Sequence, residues 1–320
     1  MSNEWRIGSE EYEQALQQEG EYWGHESEKA FSQGIPFSAD MRRAQRLQVD
    51  RGAGLPQQQV YDPAAERIMN GDLYQLLFDR VAAVSPHSRV LVLACGPGGL
   101  ALELARQGHH VHAIDISRGA IALAERMAEE NPFTENFGSL RYTVADLNRI
   151  ELEKERYEAV VAWDGLHHIL ALDRLMQQIR SGLAPTGVFI FSDNVGMSFL
   201  SRLIGGALYF ILPTHVPYRV KLGFALGGKK KIKEEMTRRS PFEEVSSGSI
   251  LEAVGRHFTL QWRKSHTGIG FRAALAGDLR GPDQRRHLFL RWLKKLDDWA
   301  VDHGLLKGDH VLAIAVPRKD

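Results

Sequence analysis

Short, mostly apolar runs alternate with longer amphipathic segments through the middle of the chain. The runs are Val90–Cys95, His110–Asp115, Leu140–Ala145, Tyr157–Trp163 and Val188–Ser192. The segments between them repeat apolar positions at helical spacing, which is typical of helices packed on one face. Strands that alternate with helices form a parallel sheet with helices on both faces. We therefore predict an α/β fold with a doubly wound, mostly parallel sheet of about seven strands.

The flanking segments predict further elements around this core. A helix is expected from Glu10 to about Gln18, followed by an aromatic segment between Gly20 and Gly24. Asp62 is expected to cap a helix that begins with proline and runs to about Arg80. After the fifth strand, residues 196–246 lose the alternation and predict a helical insertion. Later expected elements are a helix Ser249–Arg256, a strand Phe258–Lys264, a helix Gln284–His303 and a strand His310–Pro317.

Composition excludes several classes of protein. The chain has 320 residues, 43% of them apolar, so it can bury a large core. Its 40 basic and 40 acidic residues cancel, which gives no general field for nucleic acid. Cys95 is the single cysteine, so an internal disulfide and a multi-cysteine zinc site are excluded. The cysteine usage and the lack of a signal peptide predict a cytoplasmic location. The sequence leaves the oligomeric state open between a monomer and a homo-oligomer.

A transmembrane helix is not expected. The longest apolar stretch, Met197–Pro213, contains Arg202. It is also shorter than the roughly 18–20 residues that span a bilayer.

Acidic residues follow four predicted strands, at Asp115, Asp146, Asp164 and Asp193. The carboxyl ends of parallel strands form the ligand-binding edge of such sheets. A turn rich in glycine follows the first strand and includes Gly96, and Asp115 lies 19 residues after it. This spacing fits an acid that accepts hydrogen bonds from a ribose diol. The pattern predicts a nucleoside-bearing ligand without naming it.

Two cofactors fit this turn. The residues Gly96, Gly98 and Ala101 satisfy the G-x-G-x-x-G/A pattern of nicotinamide dinucleotide sites. The same turn, with four later segments, resembles the class I S-adenosylmethionine-dependent methyltransferases, whose fold is Rossmann-like. The five segments are Ala94–Gly99, Ala113–Ser117, Val144–Leu147, Tyr157–Ile169 and Gly182–Val188. Their order favours S-adenosylmethionine as the cofactor.

The resemblance implies a set of cofactor-binding residues. They are Ala94, Cys95, Gly96, Pro97, Gly98, Asp115, Ile116, Ala145, Asp146, Leu147, Trp163 and His168. Within this set Asp115 is expected to bind the ribose and Asp146 the adenine amino group. The chain departs from the family pattern at Val92, where an acid is usual, and at Ala94, where a glycine is usual. We expect these departures to weaken or slightly displace the cofactor.

The sequence says less about the residues that bind the acceptor. Methyl transfer to an oxygen needs a general base that takes the hydroxyl proton, and the first candidate for this base is His167 and the second is Asp164. The adjacent histidines are not expected to bind a metal, because consecutive residues rarely point at one ion and no ligand pattern follows them. Residues 1–60 are expected to form an arm or lid before a domain over residues 61–320. Four residues are expected to contact the acceptor: Tyr22, Trp23, Asp193 and Asn194.

We expect a small-molecule acceptor, methylated at oxygen, in a pocket formed by the arm and the insertion. The tail resembles methyltransferases of bacterial polysaccharide and secondary-metabolite pathways, which implies a glycan or natural-product intermediate. The basic run Lys229–Lys233 is expected to be a solvated helix face rather than a phosphate or lipid site. The alternative functions are a nicotinamide-dependent oxidoreductase and a non-catalytic cofactor-binding or scaffold protein of the same fold.

Overall fold

The computed structural model describes residues 5–32, 47–49, 59–196, 198–214, 217–223, 229–243, 245–269, 279 and 282–318. Its strands are β1 (Leu47–Val49), β2 (Gln59–Tyr61), β3 (Arg89–Leu93), β4 (His110–Asp115), β5 (Ser139–Val144), β6 (Tyr157–Trp163), β7 (Leu183–Asn194), β8 (Phe258–His266) and β9 (His310–Pro317). Its helices are α1 (Glu10–Ser32), α2 (Pro63–Val84), α3 (Gly99–Arg106), α4 (Arg118–Glu129), α5 (Leu172–Gly182), α6 (Phe199–Ile211), α7 (Tyr218–Gly223), α8 (Lys229–Arg239), α9 (Ile250–His257) and α10 (Asp283–Asp302).

Seven of these strands form one sheet in the order β5-β4-β3-β6-β7-β9-β8. The pairs from β5 to β7 are parallel, and β9 runs antiparallel to both β7 and β8. The predicted doubly wound, mostly parallel sheet is confirmed. Because β3 lies between β4 and β6, the strand order reverses beside it. A crevice forms at such a reversal outside the carboxyl ends of the strands.

The central strand β3 is buried on both faces. Leu91 and Leu93 join the apolar cluster that includes α5 and α9, whereas Val90 and Val92 join the cluster that includes α2 and α3. This alternation follows from the two-residue period of a strand. Val92 is 1% exposed, so this chain places a core residue where the family usually has an acid.

The N-terminal helix is longer than the sequence pattern predicts. We expected a helix that ends near Gln18, but α1 continues as one helix of 23 residues. Gly20 and Gly24 remain helical because they face the start of α4. A Cβ on Gly24 would lie 2.9 Å from Ser117 Oγ and 3.1 Å from Gly119 Cα. These glycines therefore permit close helix packing rather than ending the helix.

The expected start of α2 is confirmed. Asp62 accepts hydrogen bonds from the backbone N–H groups of Ala64 and Ala65, with proline at the first helical position. The helix ends at Val84, one turn beyond the expected end at Arg80. It packs against the sheet with one face and against α10 with another.

Strand β7 begins earlier than the pattern predicts. We expected Pro185 and Gly187 to separate α5 from a strand that begins at Val188. The strand instead begins at Leu183, opposite Tyr157, and regular pairing resumes at Val188 after an irregularity in register. A bulge of this kind accommodates proline, which cannot donate to the ladder.

The segment after β7 is helical, as expected, and contains α6, α7 and α8. Several large apolar side chains of α6 are exposed, including Phe199 at 76% and Ile211 at 69%. Among the described residues, no helix combines the length and the hydropathy that crossing a membrane requires.

Candidate functional site

A cavity of about 300 Å³ opens at the carboxyl ends of β3, β4, β5 and β6. Twelve residues that the sequence assigns to the site lie on its wall: Trp23, Ala94, Cys95, Gly96, Pro97, Asp115, Ile116, Asp146, Leu147, Trp163, Asp164 and His168. Six others lie off this wall in the described structure: Tyr22, Gly98, Ala145, His167, Asp193 and Asn194. Three of the four strand-end acids therefore converge on the cavity with the glycine turn, whereas Asp193 does not, and of the four expected acceptor residues only Trp23 lines the wall.

The glycine turn is held in a conformation that exposes its backbone to the cavity. Cys95 donates its N–H to the Ile114 carbonyl, and Gly98 donates to the Cys95 carbonyl. Gly98 has φ +76°, and a Cβ there would lie 2.6 Å from Tyr142 Oη. Only glycine meets both constraints, so Gly98 shapes the turn from outside the wall. Burial raises the pKa of the Cys95 thiol, which makes it a neutral wall group.

Asp115 is the acid that most directly connects the turn to the cavity. Its Oδ2 accepts from Gly96 N at 2.8 Å and its Oδ1 accepts from Ser117 N at 2.8 Å. Burial raises the pKa of this carboxyl, while the two backbone donors act in the opposite direction. Each oxygen retains a lone pair for a further donor, as a bidentate ligand contact requires.

Asp146 has more protein partners than the sequence suggested. Its Oδ2 accepts from Tyr12 Oη at 2.7 Å and Arg149 Nε at 2.7 Å, and its Oδ1 accepts from Asn148 N at 2.8 Å. Of about four acceptor positions on a carboxylate, one remains. The contact with Tyr12 joins this strand end to α1.

The aromatic wall combines an expected residue with an unexpected one. Trp163 stacks on Tyr74 of α2, with ring centroids 4.6 Å apart and an interplanar angle of 26°. The amphipathic pattern of α2 gave Tyr74 no special status, since only the packing of the helix on β6 brings it there. The stacked pair gives the cavity a flat apolar surface.

Asp164 follows β6 with φ +49°, a left-handed conformation that aspartate tolerates better than most residues. Half of its side-chain surface is accessible and it lines the cavity. Surrounding protein desolvates the carboxylate and raises its pKa to about 6, although His310, with Nε2 3.8 Å away, opposes this shift. A carboxylate with this pKa can accept a proton near neutral pH.

Asp193 organises the turn after β6 rather than facing the cavity. Its side chain is fully buried and accepts from the backbone of Gly165 at 2.9 Å and Leu166 at 2.6 Å. Its Oδ1 lies 2.6 Å from His167 Nδ1. Burial alone would lower the pKa of His167, but the bond to Asp193 raises it to about 9. Asn194 turns its side chain toward its own loop.

Helix α1 closes one side of the cavity through residues that sequence reasoning missed. Glu19 is 2% exposed and accepts from Trp23 Nε1 at 2.8 Å, Ser240 Oγ at 2.8 Å and Phe242 N at 3.1 Å. Its Oε1 also lies 3.0 Å from His168 Nδ1. Burial alone would raise the pKa of Glu19, but His168 and the other donors outweigh it and lower that pKa.

Two expected aromatic residues of α1 take different positions. Trp23 lines the cavity and meets the His168 ring edge to face, with centroids 5.6 Å apart. Tyr22 points away and lies 3.8 Å from Met236 Sδ of α8. The hydrogen bond between Trp23 Nε1 and Glu19 is the one contact here that sequence signals, through the four-residue spacing of the two positions on a helix.

Comparison with known families identifies the central part of the chain. Residues 90–187, less than a third of the chain, match a family model described as a methyltransferase domain. This segment contains the glycine turn, all of β4–β6 and the turn that follows β6. The match therefore covers most of the cavity wall but neither α1 nor the segment after β7.

Curated relatives match over the same region. A ubiquinone biosynthesis O-methyltransferase of Actinobacillus pleuropneumoniae serotype 5b (strain L20) is 28% identical over 126 residues, covering 38% of this chain and 53% of the relative. Phosphoethanolamine N-methyltransferase 2 of Caenorhabditis elegans is 29% identical over 113 residues, covering 35% of this chain and 25% of the relative. The matches thus span a quarter to about half of the relatives' length.

A solved structure resembles the fold over almost the whole chain. It is the geranyl diphosphate C-methyltransferase from Streptomyces coelicolor A3(2), solved with Mg²⁺, geranyl-S-thiolodiphosphate and S-adenosyl-L-homocysteine. The TM-score is 0.55 at 12% identity, with 95% of this chain and 98% of that chain covered. At this identity the likeness concerns the fold alone.

Proposed function

Because this chain carries a class I S-adenosylmethionine-dependent methyltransferase domain, we propose that it transfers the methyl group of that cofactor to a small-molecule acceptor. The observation that supports the proposal most directly is the cavity at the carboxyl ends of β3–β6, which the glycine turn, Asp115 and Trp163 line together. The relatives include methyltransferases named for oxygen, nitrogen and carbon acceptors, so the acceptor atom is a finer proposal.

The residues of the cavity fit the parts of the cofactor. The N–H groups that begin α3 and the positive end of its dipole suit a carboxylate. The free lone pairs of Asp115 suit two ribose hydroxyls, and the remaining acceptor position of Asp146 suits an adenine amino group. A cavity of about 300 Å³ is at the small end of sites for ligands of this kind.

We favour oxygen as the acceptor atom and Asp164 as the base. The cofactor supplies a methyl group already activated by its sulfonium, so the protein has to align the acceptor and exclude water. The Asp164 carboxylate would accept the proton of the acceptor hydroxyl as its oxygen takes the methyl group that the bound cofactor would supply. His167, the first expectation from sequence, lies off the wall with its Nδ1 bonded to Asp193.

The acceptor pocket would lie between α1 and the segment after β7. Phe242, which follows α8, lines the cavity and is bonded through its backbone to Glu19 of α1. These two elements lie outside the segment matched by the family model, where variation would set acceptor choice. The apolar lining favours an acceptor with an apolar body, such as a natural-product intermediate, over a bare sugar.

Calorimetry with S-adenosylmethionine, S-adenosylhomocysteine and NADH tests the cofactor. The proposal expects the first two to bind and the third not to bind, and binding of NADH alone would replace it with the oxidoreductase function. Transfer of a labelled methyl group to a panel of phenols, alcohols and amines then tests the reaction. Cofactor binding without transfer to any acceptor, including extracts of the source organism, would favour a non-catalytic protein.

A further inference from the structure

Two adjacent histidines meet a glutamate that is distant in sequence. Nε2 of His167 lies 4.0 Å from Glu243 Oε1, and Nε2 of His168 lies 3.7 Å from Glu243 Oε2. Ligand atoms of all three side chains lie within 4.8 Å of one another. These separations exceed the roughly 2.7–3.2 Å of a direct hydrogen bond. They approach the separation of about 3.3 Å between two ligand atoms around a tetrahedral ion with bonds of about 2.0–2.1 Å.

The other nitrogen of each ring is placed against a buried carboxylate. His167 Nδ1 lies 2.6 Å from Asp193 Oδ1, and His168 Nδ1 lies 3.0 Å from Glu19 Oε1. Asp193 and Glu19 are 0% and 2% exposed. A carboxylate hydrogen-bonded to Nδ1 orients the ring, fixes its tautomer and leaves Nε2 to bind a metal, which is the arrangement of Asp193 and His167. The Glu19 carboxylate lies within ion-pair distance of His168 Nδ1 but does not complete a hydrogen bond to it.

We propose that Nε2 of His167, Nε2 of His168 and the Glu243 carboxylate bind a divalent first-row transition-metal ion. Two imidazoles and one carboxylate suit Zn²⁺, Fe²⁺, Co²⁺ or Mn²⁺ better than Mg²⁺, which prefers oxygen ligands alone. The sequence argument against a metal had two grounds, the adjacency of the histidines and the lack of a ligand pattern after them. In the fold, Nε2 of both rings faces Glu243, which comes from 75 residues beyond His168, so neither ground holds.

The charges of the cluster favour a dication. Three carboxylates, those of Glu19, Asp193 and Glu243, surround two imidazoles. An ion bound to two neutral imidazoles gives the same net charge as two protonated imidazoles without an ion. Metal binding therefore competes with protons at this cluster and releases them.

The position of the cluster suggests a role, which rests on the proposed methyl transfer. His168 and Phe242 line the cavity, so the cluster adjoins it. An ion with three protein ligands keeps an open coordination position. An acceptor hydroxyl bound there would lose its proton more readily, because the ion lowers the pKa of a coordinated oxygen.

The test is titration of the apoprotein, made without a polyhistidine tag, with Zn²⁺ by calorimetry and with Co²⁺ by visible absorption. We expect one ion per chain, and Glu243→Gln should weaken Zn²⁺ affinity at least tenfold. His168→Gln should do the same and serves as the second variant if Glu243→Gln unfolds, which thermal melting would reveal. Asp173→Asn is the matched control, since Asp173 also contacts a histidine, with Oδ1 3.1 Å from His257 Nε2, away from the cavity.

Equal Zn²⁺ affinities for the wild type and the well-folded Glu243→Gln and His168→Gln variants would overturn the metal site. Loss of affinity in those variants, with wild-type affinity in Asp173→Asn, would support it. Cofactor binding is measured separately with S-adenosylhomocysteine and no metal. A failure of the methyltransferase proposal is thus distinguishable from a failure of the metal site.

Discussion

Ala94 and Gly165 share one small space where β3 and β6 end. A Cβ placed on Gly165 would lie 2.3 Å from Ala94 Cβ. Ala94 itself has φ +49°, a conformation in which the family's usual glycine is unstrained. The absence of a side chain at position 165 therefore accommodates the methyl group at position 94.

This pairing predicts non-additive mutations. Gly165→Ala should destabilise the protein by about 1–3 kcal/mol through overpacking. Ala94→Gly should change stability by less than about 1 kcal/mol, because relief of backbone strain offsets the greater freedom of the unfolded chain. The double variant should recover most of the loss when all are compared by urea unfolding. If the double variant is as unstable as Gly165→Ala, the two residues do not compete for this space.

Asp164→Asn should make the protein more stable and the enzyme slower. The folded-state pKa of Asp164, about 6, exceeds its ordinary value, so its contribution to stability is present at low pH and is lost as pH rises through about 6. Asparagine removes this cost and tolerates the left-handed backbone. We expect a gain of about 1 kcal/mol at pH 7.5, allowing for the half-exposed side chain, and a rate at least about 100-fold lower.

The same assignment predicts the pH profile of the wild type. Turnover should fall below pH about 6, where Asp164 becomes protonated. The titratable groups that face Asp164 are His310, Asp193, His167 and Glu66, and the histidines and acids shift its pKa in opposite directions. Steady-state rates from pH 5 to 8 measure the profile. An unchanged acid limb in Asp164→Asn would assign the base to another residue.

Asp115→Asn should weaken cofactor binding. Asparagine keeps one acceptor oxygen and loses the charge, so two charge-assisted hydrogen bonds weaken. A loss of about 1.5–3 kcal/mol corresponds to roughly 10- to 150-fold in the dissociation constant of S-adenosylhomocysteine. Glu158→Gln, at the other end of β6 beside Arg89, is the control and should bind normally. Equal affinities for both variants would remove Asp115 from the ribose site.

Two glycine-to-alanine variants distinguish the effect of disturbed α1 packing from the effect of a higher helix propensity. Gly24→Ala introduces a methyl group 2.9 Å from Ser117 Oγ, so α1 should shift and cofactor affinity should fall several-fold, since Trp23 and Glu19 line the cavity. Gly71→Ala in α2 finds its nearest neighbour at 3.8 Å and should stabilise the protein by about 0.5–1 kcal/mol. Normal ligand affinity in Gly24→Ala would show that α1 does not support the site.

The parts of the site that sequence predicts are those built from short-range rules. Strand ends, the glycine turn and the spacing to Asp115 depend on residues within one β-α-β unit, and the structure places them as expected. Trp163 and Asp164 follow from the same strand-end rule. Local pattern thus suffices where a single supersecondary unit fixes the geometry.

The parts that sequence missed depend on contacts between distant segments. Glu19 and Glu243 reach His168 from segments far before and far after it in sequence, and the four-residue spacing from Glu19 to Trp23 is the one local signal among these contacts. The first helix was expected to end near Gln18, before Gly20 and Gly24, because the surface of α4 that these glycines accommodate is not visible in their neighbourhood. Asp193 was expected at the acceptor, but its Oδ2 accepts from the two backbone N–H groups of the turn before His167, and its Oδ1 pairs with His167 itself.

The hydrogen bond from Tyr12 to Asp146 spans 134 positions of sequence and connects the N-terminal helix α1 to a residue of the cavity wall. If a ligand binds to Asp146, its binding and the docking of α1 are linked by one coupling free energy. Such coupling is reciprocal: the factor by which the ligand raises the equilibrium constant for docking of α1 equals the factor by which docking raises the affinity for the ligand. A truncation, a fused tag or a partner that holds α1 away would therefore lower occupancy of the cavity without touching any residue of the central domain.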